Sequence, residues 1–431
     1  MPHLAGFLFD FLITLLAIHL VGSLYVLLRG CLIQRVWRRE APFVERTAIL
    51  KSPLTPGVSV LLVAPDASSA WHPLVRRLLS LEFGDCELVV VLEDATPDEL
   101  QSWTREFRLF PSLETVNAPL EIAAVRGVYE SSASIRLVVV AKDPGPAGDA
   151  LNAAVNAASL PLLACFDPES EFQQDALLRL VWPMLEAPGE TPALACAVEC
   201  GTGDSLLGSF AEIEFLRSWL GRSIAFAGWN ALIPEPGCAV LVERQAVLDG
   251  GGCHGGLAPL FASIHGSARA AGRKYRIPFI PDPVTSLEVR DDVSSLLRQV
   301  GRRQASIAQA IRRAPSLVRG WGSLGRWGLS ALLFTRLLRP LAETALYLLA
   351  IVALLSGWIN WRLALALLLA TVASGTIISA SAVVLREVAE YTPAPPGRLI
   401  RLLFASLAEG FGYRQLRDLK MITAFFGSDA R

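Results

Sequence analysis

Charged side chains are scarce in this chain. Only 18% of its 431 residues are Asp, Glu, Lys or Arg, whereas 52% are apolar. A water-soluble domain of ordinary composition has about a quarter of its residues charged, so part of this chain is expected to lie in lipid. The formal net charge is -1. Because no overall positive field results, nucleic acid is not an expected partner.

Cysteine pairs are missing as well. The seven cysteines form no C-x-x-C pair and no even framework of spacings. Most of them lie in apolar surroundings, which favours reduced, buried thiols in a cytosolic compartment. Cys196 and Cys200 could share one helix face, but no nearby histidine is available to complete a zinc site.

The first long apolar run is Phe11 to Leu28, 18 residues without a formal charge and interrupted only by His19. It is long enough to span a bilayer as a helix. No basic residue group precedes it and no small-x-small cleavage pattern follows it, which disfavours a cleaved signal peptide. Arginines begin at Arg29, so the positive-inside rule predicts that the N-terminus lies outside and the following chain in the cytoplasm. His19 is assigned no role.

Two further apolar runs, Thr344 to Trp361 and Leu363 to Leu385, predict a transmembrane hairpin. Nine arginines and no carboxylate occur from Arg298 to Arg339, interleaved with aromatic and aliphatic residues. Nucleic acid is an alternative ligand for such a segment. Because a lipid span follows directly, helices lying at the cytoplasmic headgroups are favoured, with membrane lipids as partners. Leu399 to Phe411 is predicted to be another interfacial or re-entrant helix.

Between the membrane segments, buried-type strands alternate with helices. The strands are predicted at Val58 to Val63, Leu88 to Leu92, Ile135 to Val140 and Leu160 to Phe166. Alternation at these spacings requires crossover connections and a mostly parallel sheet with helices on both faces. Each strand then delivers a polar loop to one edge of the sheet, where ligands bind in open α/β folds.

An acidic pair, Asp167 and Glu169, ends the fourth of these strands. Two carboxylates at this edge could share a divalent cation, which would neutralise a diphosphate leaving group. The alternative is structural: Asp167 ends the strand, and Glu169 lies in the first turn of a helix where its charge suits the helix dipole.

The order of these motifs resembles the family-2 glycosyltransferases, which have a GT-A fold and transfer a sugar from a nucleotide diphosphate. VSVLLVAPD is similar to the family's first strand, LVVVLEDATPDE to its second strand and acidic turn, AGDALNAAV to K-A-x-A-L-N and CFDPES to D-x-D. The resemblance covers roughly residues 56 to 305. It implies nucleotide binding by Asp66 and Asp94, and Mg²⁺ or Mn²⁺ binding by Asp167 and Glu169.

Later segments resemble the family's acceptor side but depart from it. Ala147 stands in place of the lysine of K-A-x-A-L-N, and Gly256 and Leu257 occupy the positions of the catalytic-base pair E-D. His254 is a candidate replacement base, since histidine is the most frequent general base in enzymes; a loop histidine is otherwise a surface residue. The resemblance to Q-x-x-R-W implies that three residues contact the diphosphate and the acceptor: Gln299, Arg302 and Arg303, the last in place of tryptophan.

These features predict six segments. They are a transmembrane helix (1–32), a basic linker (33–55), a cytoplasmic GT-A domain (56–292), Arg-rich interfacial helices (293–340), a transmembrane hairpin (341–388) and a C-terminal interfacial segment (389–431). The favoured function is an inverting glycosyltransferase of the inner membrane with a nucleotide-sugar donor and a membrane-proximal glycan or lipid acceptor. The alternative is an inactive scaffold for an active glycosyltransferase or export partner. A transporter is disfavoured, because the spans contain few polar residues.

Overall fold

The structure is a computed structural model that describes residues 2–40, 52, 54–64, 66–112, 118–131, 135–168, 170–201, 205–234, 237–287, 292–313, 332–389 and 395–427. Glu169 therefore lies outside the described residues. So do most of the linker predicted before residue 56 and residues 314–331 of the arginine-rich segment.

The described residues form one ten-stranded sheet with the order β3-β4-β5-β2-β1-β6-β9-β8-β10-β7. Its strands are β1 (Val58–Ala64), β2 (Cys86–Glu93), β3 (Leu109–Pro111), β4 (Val125–Ser131), β5 (Arg136–Lys142), β6 (Leu162–Cys165), β7 (Ser170–Phe172), β8 (Ala193–Cys200), β9 (Val240–Glu243) and β10 (Phe279–Leu287).

Four neighbouring strands in the centre, β5, β2, β1 and β6, are parallel. These are the four strands that the alternating apolar runs predict. The whole sheet is mixed, because β4 and β9 pair antiparallel with the two ends of this parallel group. Strands β3 and β4 were not predicted, since most side chains of β4 are only half-buried and its sequence has no clean alternation.

Helices cover both faces of the sheet. They are α1 (Pro2–Glu40), α2 (His72–Leu78), α3 (Pro97–Phe107), α4 (Asp149–Ala157), α5 (Ala176–Glu186), α6 (Leu206–Leu216), α7 (Arg244–Asp249), α8 (Leu257–Ala270), α9 (Val293–Arg313), α10 (Arg339–Leu355), α11 (Trp361–Ala389), α12 (Pro396–Ala408) and α13 (Tyr413–Phe426). A π-helix, Arg217–Ile224, continues α6.

Successive side chains of β1 point to opposite faces of the sheet. Because both faces are buried, these side chains pack in two different hydrophobic cores. Val60 and Leu62 pack in one core with Trp103 of α3. Leu61 packs in the other, which also contains Ile378 of α11 and Leu402 of α12. The second core therefore joins the sheet to α11 and α12. We call these and the other helices in or next to the candidate membrane spans the membrane-side helices.

Three described helical segments are long and apolar enough to cross a membrane: Phe9–Arg38, Phe334–Leu355 and Trp361–Ala389. The first is longer than the run predicted from sequence, because α1 continues through the arginines that follow it. In its C-terminal half, α1 contacts the sheet domain closely. A Cβ built on Gly30 would lie 2.1 Å from the carbonyl oxygen of Leu220, so only glycine allows α1 to contact the π-helix here.

The predicted C-terminal interfacial segment is two helices rather than one. The helix α12 ends before Gly412, whose φ of +109° breaks the chain direction, and α13 follows. On α12, Ile400 and Phe404 are exposed, whereas Leu402 and Ala405 are buried in the protein. One face of α12 thus exposes apolar side chains, and its position at the membrane interface stays a prediction.

Candidate functional site

The carboxyl edge of the parallel strands collects three acidic residues singled out in the sequence, Asp66, Asp94 and Asp167, and one that was not, Asp143. The strand order β5-β2-β1-β6 places Asp143, Asp94, Asp66 and Asp167 after successive neighbouring strands. Adjacent strands lie about 4.8 Å apart. These carboxylates therefore line one edge in that order, as expected for a ligand site of an open α/β sheet.

Asp94 occupies the turn between β2 and α3 with a φ of +53°, which short polar residues tolerate. Arg126 of β4 donates to Asp94 Oδ1 at 3.0 Å and to Asp143 Oδ1 at 2.5 Å. All three side chains are substantially exposed. The result is a solvent-accessible acidic pair cross-linked by one guanidinium, and Arg126 is a site residue that the sequence did not suggest.

Asp66 is engaged locally. Its Oδ1 accepts from the Ser68 backbone N–H at 3.1 Å and from the Trp71 indole at 2.8 Å. Hydrogen bonds from Ser68 and Trp71 lower the pKa of Asp66, so it is ionised at neutral pH. Its side chain remains exposed at the sheet edge, where one carboxylate oxygen is available to a ligand.

Asp167 is half-buried at the end of β6. Its backbone carbonyl accepts from the Ser170 N–H at 3.0 Å and from the Ser170 hydroxyl at 2.7 Å, which fixes the turn into β7. A Cβ built on Gly237 would lie 3.9 Å from Asp167 Oδ2. The carboxylate therefore faces the segment before β9.

Gly237 also lines a small cleft that contains Arg303. Arg303 lies on α9, which carries the Q-x-x-R-W-like segment, and its side chain is half-buried there. Gln299 is half-buried one turn earlier on the same helix, and Arg302 is exposed. Gly237 is thus next to the Asp167 carboxylate and also lines the cleft that contains Arg303.

The glycine-rich loop before α8 is tied to the start of α4. Asn152 accepts from the Cys253 N–H at 2.6 Å and donates to the Cys253 carbonyl at 3.1 Å. Gly148 makes this approach possible, because its φ is +97° and an added Cβ would lie 2.4 Å from that carbonyl oxygen. His254 follows in the loop with an exposed side chain. The Asn of the A-L-N segment is therefore a loop anchor that holds His254 near the carboxyl edge.

Lys142 is a second residue that the sequence did not suggest. It ends β5, is fully buried, and donates from Nζ to Glu93 Oε1 at 3.0 Å; the Asp149 Oδ2 is 2.7 Å away. It thereby fixes the loop that precedes α4. The sequence signal was available: a lysine follows the apolar run 137–141 immediately before a Pro- and Gly-rich loop.

Potential metal ligands are few. No group of three or more His, Cys, Asp or Glu suited to a metal occurs among the described residues, a set that omits Glu169. A Mg²⁺ ion needs only one or two protein carboxylates when phosphate oxygens and water complete its shell. The half-buried Asp167 at the sheet edge suits that donor set.

A larger cavity of about 170 Å³ adjoins the small cleft, and Val198, Phe215 and Trp219 line both. We call it the interface cavity, because it extends to Arg386 at the end of α11 and Arg398 at the start of α12. Both arginines donate to Glu212 of α6. The interface cavity therefore lies next to the small cleft lined by Gly237 and reaches the end of α11 and the start of α12.

No protein-family model matches the sequence, and the search of curated proteins finds no significant relative. Solved structures do match. A mannosyltransferase from Pyrobaculum calidifontis, in complex with GDP-Man and Mn²⁺, is 17% identical with a TM-score of 0.57, covering 94% of this chain and 99% of that one. Glucosyl-3-phosphoglycerate synthase from Mycobacterium tuberculosis, in complex with Mn²⁺, UDP-Glc and phosphoglyceric acid, is 14% identical with a TM-score of 0.38, covering 64% of this chain and 85% of that one.

The first match shows that this chain has a GT-A-like glycosyltransferase fold. Because it leaves so little of either chain uncovered, the similarity includes the membrane-side helices as well as the sheet. At 17% identity it shows the fold alone. The family-2 resemblance of the motifs stays a prediction.

Proposed function

We propose that the protein is a membrane-anchored glycosyltransferase that moves a sugar from a nucleoside diphosphate to a membrane-proximal glycan or lipid. The observation that carries this proposal is the meeting of Asp167 and the Arg303 cleft around Gly237, at the acidic edge of a GT-A-like fold. In this proposal the N-terminus lies outside and the sheet domain in the cytoplasm; the basic residues at the end of α1 support this orientation through the positive-inside rule.

Each site residue has a distinct task in this proposal. Asp94 and Asp66 bind the nucleoside, and Asp167 with Glu169 would hold a Mg²⁺ or Mn²⁺ ion, which neutralises charge on the diphosphate. Arg303, with Arg302 and Gln299 on the same helix, contacts the departing diphosphate. Fixed positive charge beside a leaving group is the kind of electrostatic stabilisation that contributes most to such reactions. His254, held near the edge by Asn152, takes the acceptor proton.

The interface cavity is the proposed route for the acceptor. It lies next to the small cleft and reaches the end of α11 and the start of α12, where Arg386 and Arg398 lie. A glycan or lipid headgroup entering there would approach the reacting carbon from the membrane side. The donor would enter from the cytoplasmic edge.

The test is a transfer assay with purified protein, a membrane lipid extract as acceptor, and labelled UDP- and GDP-sugars. Transfer is expected to need a divalent cation and to fall roughly 100- to 1,000-fold in Asp167→Asn, because one stabilising group at the leaving diphosphate is lost. Glu171→Gln is the matched control, since this exposed carboxylate forms only a surface ion pair with Arg77. Equal activity of Asp167→Asn and wild type would contradict the proposal.

An inactive scaffold is the second candidate, and one observation favours it. The helix α8 begins at Leu257 with Gly256 as its N-cap, and its first turn contains no acidic residue. A scaffold is expected to bind nucleotide without turnover. Leu257→Asp restores an acid where the helix N-terminus tolerates it. Turnover gained in that variant, and absent in wild type, would indicate a lost catalytic base.

A further inference from the structure

One wall of the interface cavity is formed by a continuous helix, α6 and the π-helix that follows it. Glu212, Phe215, Leu216 and Trp219 line the cavity from this helix. Their spacing of i, i+3, i+4 and i+7 places them on one helix face. The wall therefore combines aromatic and aliphatic surface with one carboxylate and one indole N–H, a mixture typical of sites for small organic ligands.

Two polar atoms of this wall, Glu212 Oε2 and Trp219 Nε1, have no hydrogen-bond partner among the described residues. Glu212 is only 2% exposed and Trp219 only 6%, so bulk water does not replace the missing partners. Buried polar atoms without a partner are rare in folded proteins, because their desolvation is not offset by a hydrogen bond. Two of them in the wall of one cavity indicate contact with a ligand.

The carboxylate of Glu212 is held in place through its other oxygen. Oε1 accepts from Arg386 Nη1 of α11 at 3.3 Å, and from Arg398 of α12 through Nε at 3.1 Å and Nη2 at 2.5 Å. Hydrogen bonds from two helices thus fix the group, whereas Oε2 accepts none. An acceptor that is already ordered binds a ligand at a lower entropic cost.

Arg38, near the end of α1, adds a second donor. It lines the same cavity, is half-buried, and its Nε has no hydrogen-bond partner among the described residues. The cavity thus offers two donors and one acceptor. An ionised phosphate can only accept, so it would leave Glu212 Oε2 without a partner, and an ammonium group can only donate. A hydroxyl both donates and accepts.

The size of the interface cavity indicates more than a single water. One water needs about 10 to 15 Å³ of cavity space. The small cleft, which Trp219 also lines, has about 20 Å³ and so holds one water, whereas the interface cavity has about 170 Å³. Phe215, Leu216 and Pro283 give it apolar surface. A ring with an apolar C–H face and several hydroxyls fits both the lining and the unpartnered atoms.

From these unpartnered atoms and this lining we propose that the interface cavity binds an uncharged sugar ring, whose hydroxyls donate to Glu212 Oε2 and accept from Trp219 Nε1 and Arg38 Nε. The inference rests on the proposed function in naming this ring as part of the acceptor. It makes the bound unit of the acceptor a glycan rather than a phosphate headgroup. Binding of the ring itself requires no transfer, so the two proposals are tested by separate measurements.

The test uses the full chain in phosphatidylcholine nanodiscs and saturation-transfer NMR, with empty nanodiscs as the baseline. The probes are the methyl glycosides of glucose, mannose and galactose, together with glycerol and methyl phosphate. At least one methyl hexoside is expected to bind, and methyl phosphate should not displace it. The inference is wrong if no hexoside binds, if methyl phosphate binds more tightly, or if glycerol binds as tightly as the best hexoside.

Nucleotide binding in the same preparation separates the two proposals. Loss of hexoside binding with Mn²⁺-dependent UDP or GDP binding intact would contradict this inference alone. Hexoside binding without any nucleotide binding would contradict the transferase proposal alone.

Trp219→Phe locates the site, because it keeps an aromatic ring and removes only the indole N–H. It should weaken binding of the best hexoside about three- to tenfold, as expected for one neutral hydrogen bond. The Tm without ligand should not fall, since the lost donor has no partner in the described part of the chain. Trp182→Phe is the matched control: its indole donates to Glu186 on α5, outside the cavity. Equal hexoside affinity in Trp219→Phe and wild type would overturn the proposal.

Discussion

Two charged regions of this molecule differ in what surrounds them. At the sheet edge, Arg126 joins Asp94 and Asp143 in water, with Asp94 70% exposed. On the membrane side, Arg217, Arg414 and Glu409 form ion pairs whose carboxylate is fully buried. Arg217 donates to Glu409 at 2.8 Å and to Ser379 of α11 at 2.7 Å, while its second nitrogen donates to Glu214 at 2.7 Å.

The exposed charges at the sheet edge are suited to ligand binding, whereas the buried charges hold parts of the fold together. Exposed ion pairs contribute at most about 1 kcal/mol to folding, so the edge charges are available to a ligand. Removing one partner of a buried pair costs roughly 3–5 kcal/mol, because an uncompensated charge is left without water. The buried network therefore connects the sheet domain to α11, α12 and α13.

The largest effect is expected from Gly375→Ala on α11. A Cβ there would clash with Arg414 Nη1, so the buried guanidinium of Arg414 must move. Displacing its guanidinium leaves Glu409 partly unpaired, for an expected loss of about 4 kcal/mol. Thermal unfolding in detergent micelles measures it. Gly6→Ala, at an open position of α1, is the control, and equal Tm values for the two variants would contradict a rigid network.

Acid should weaken the same network. Burial by itself raises the pKa of Glu409, but Arg217 and Arg414 outweigh it and lower the pKa from 4.5 to about 2. A depressed pKa in the folded state gives stability that is present above pH 4.5 and lost as the pH falls toward 2. The expected loss is roughly 3 kcal/mol, at about 1.4 kcal/mol per pKa unit. In Glu409→Gln the free energy of unfolding should depend less on pH across this range than in wild type. A pH dependence as steep as that of wild type would exclude Glu409 as the cause.

Substitution of Lys142 tests whether its buried ion pair at the sheet edge stabilises the fold. Lys142→Met keeps the volume but leaves Asp149, a buried carboxylate, without its cation, at an expected cost of about 3 kcal/mol. The double variant Lys142→Met/Asp149→Asn should recover part of that loss, since no buried charge then remains. Chemical denaturation measures both. If the single variant is as stable as wild type, the pair does not hold the loop.

Arg126 should give the smallest change in stability. Arg126→Ala is expected to alter the free energy of unfolding by less than about 1 kcal/mol, yet to weaken nucleotide binding, because Asp94 and Asp143 lose the group that orients them. Arg76→Ala removes another exposed ion pair, with Glu106, away from the edge. It should match in stability and leave nucleotide affinity unchanged. An Arg126→Ala protein with normal affinity would remove Arg126 from the site.

The features that could be predicted from the sequence are those that depend on residues close together in the chain. The parallel strands β1, β2, β5 and β6 follow from apolar runs, and Asp167 follows from the abrupt end of the last of them. The helix α3 begins where Thr96 and Glu99 form a capping box, a signal readable from neighbouring residues.

Non-local pairings could not be predicted in this way. Glu409 and Arg217 are 192 residues apart, and nothing near either residue indicates the other. The partners of Lys142 lie on β2 and α4, so its role depends on strand order. The strand β4, which carries Arg126, has half-buried side chains and gives no period that distinguishes it from a loop.

The central claim is that the acidic edge binds a nucleoside diphosphate through Asp167. Titration of the purified protein with UDP and with GDP, each with Mn²⁺ and with EDTA, tests this most directly. We expect at least one nucleotide to bind, and only when Mn²⁺ is present. This binding should be lost in Asp167→Asn and retained in Glu171→Gln. Binding of neither nucleotide, or equal Mn²⁺-dependent binding by wild type and Asp167→Asn, would contradict it.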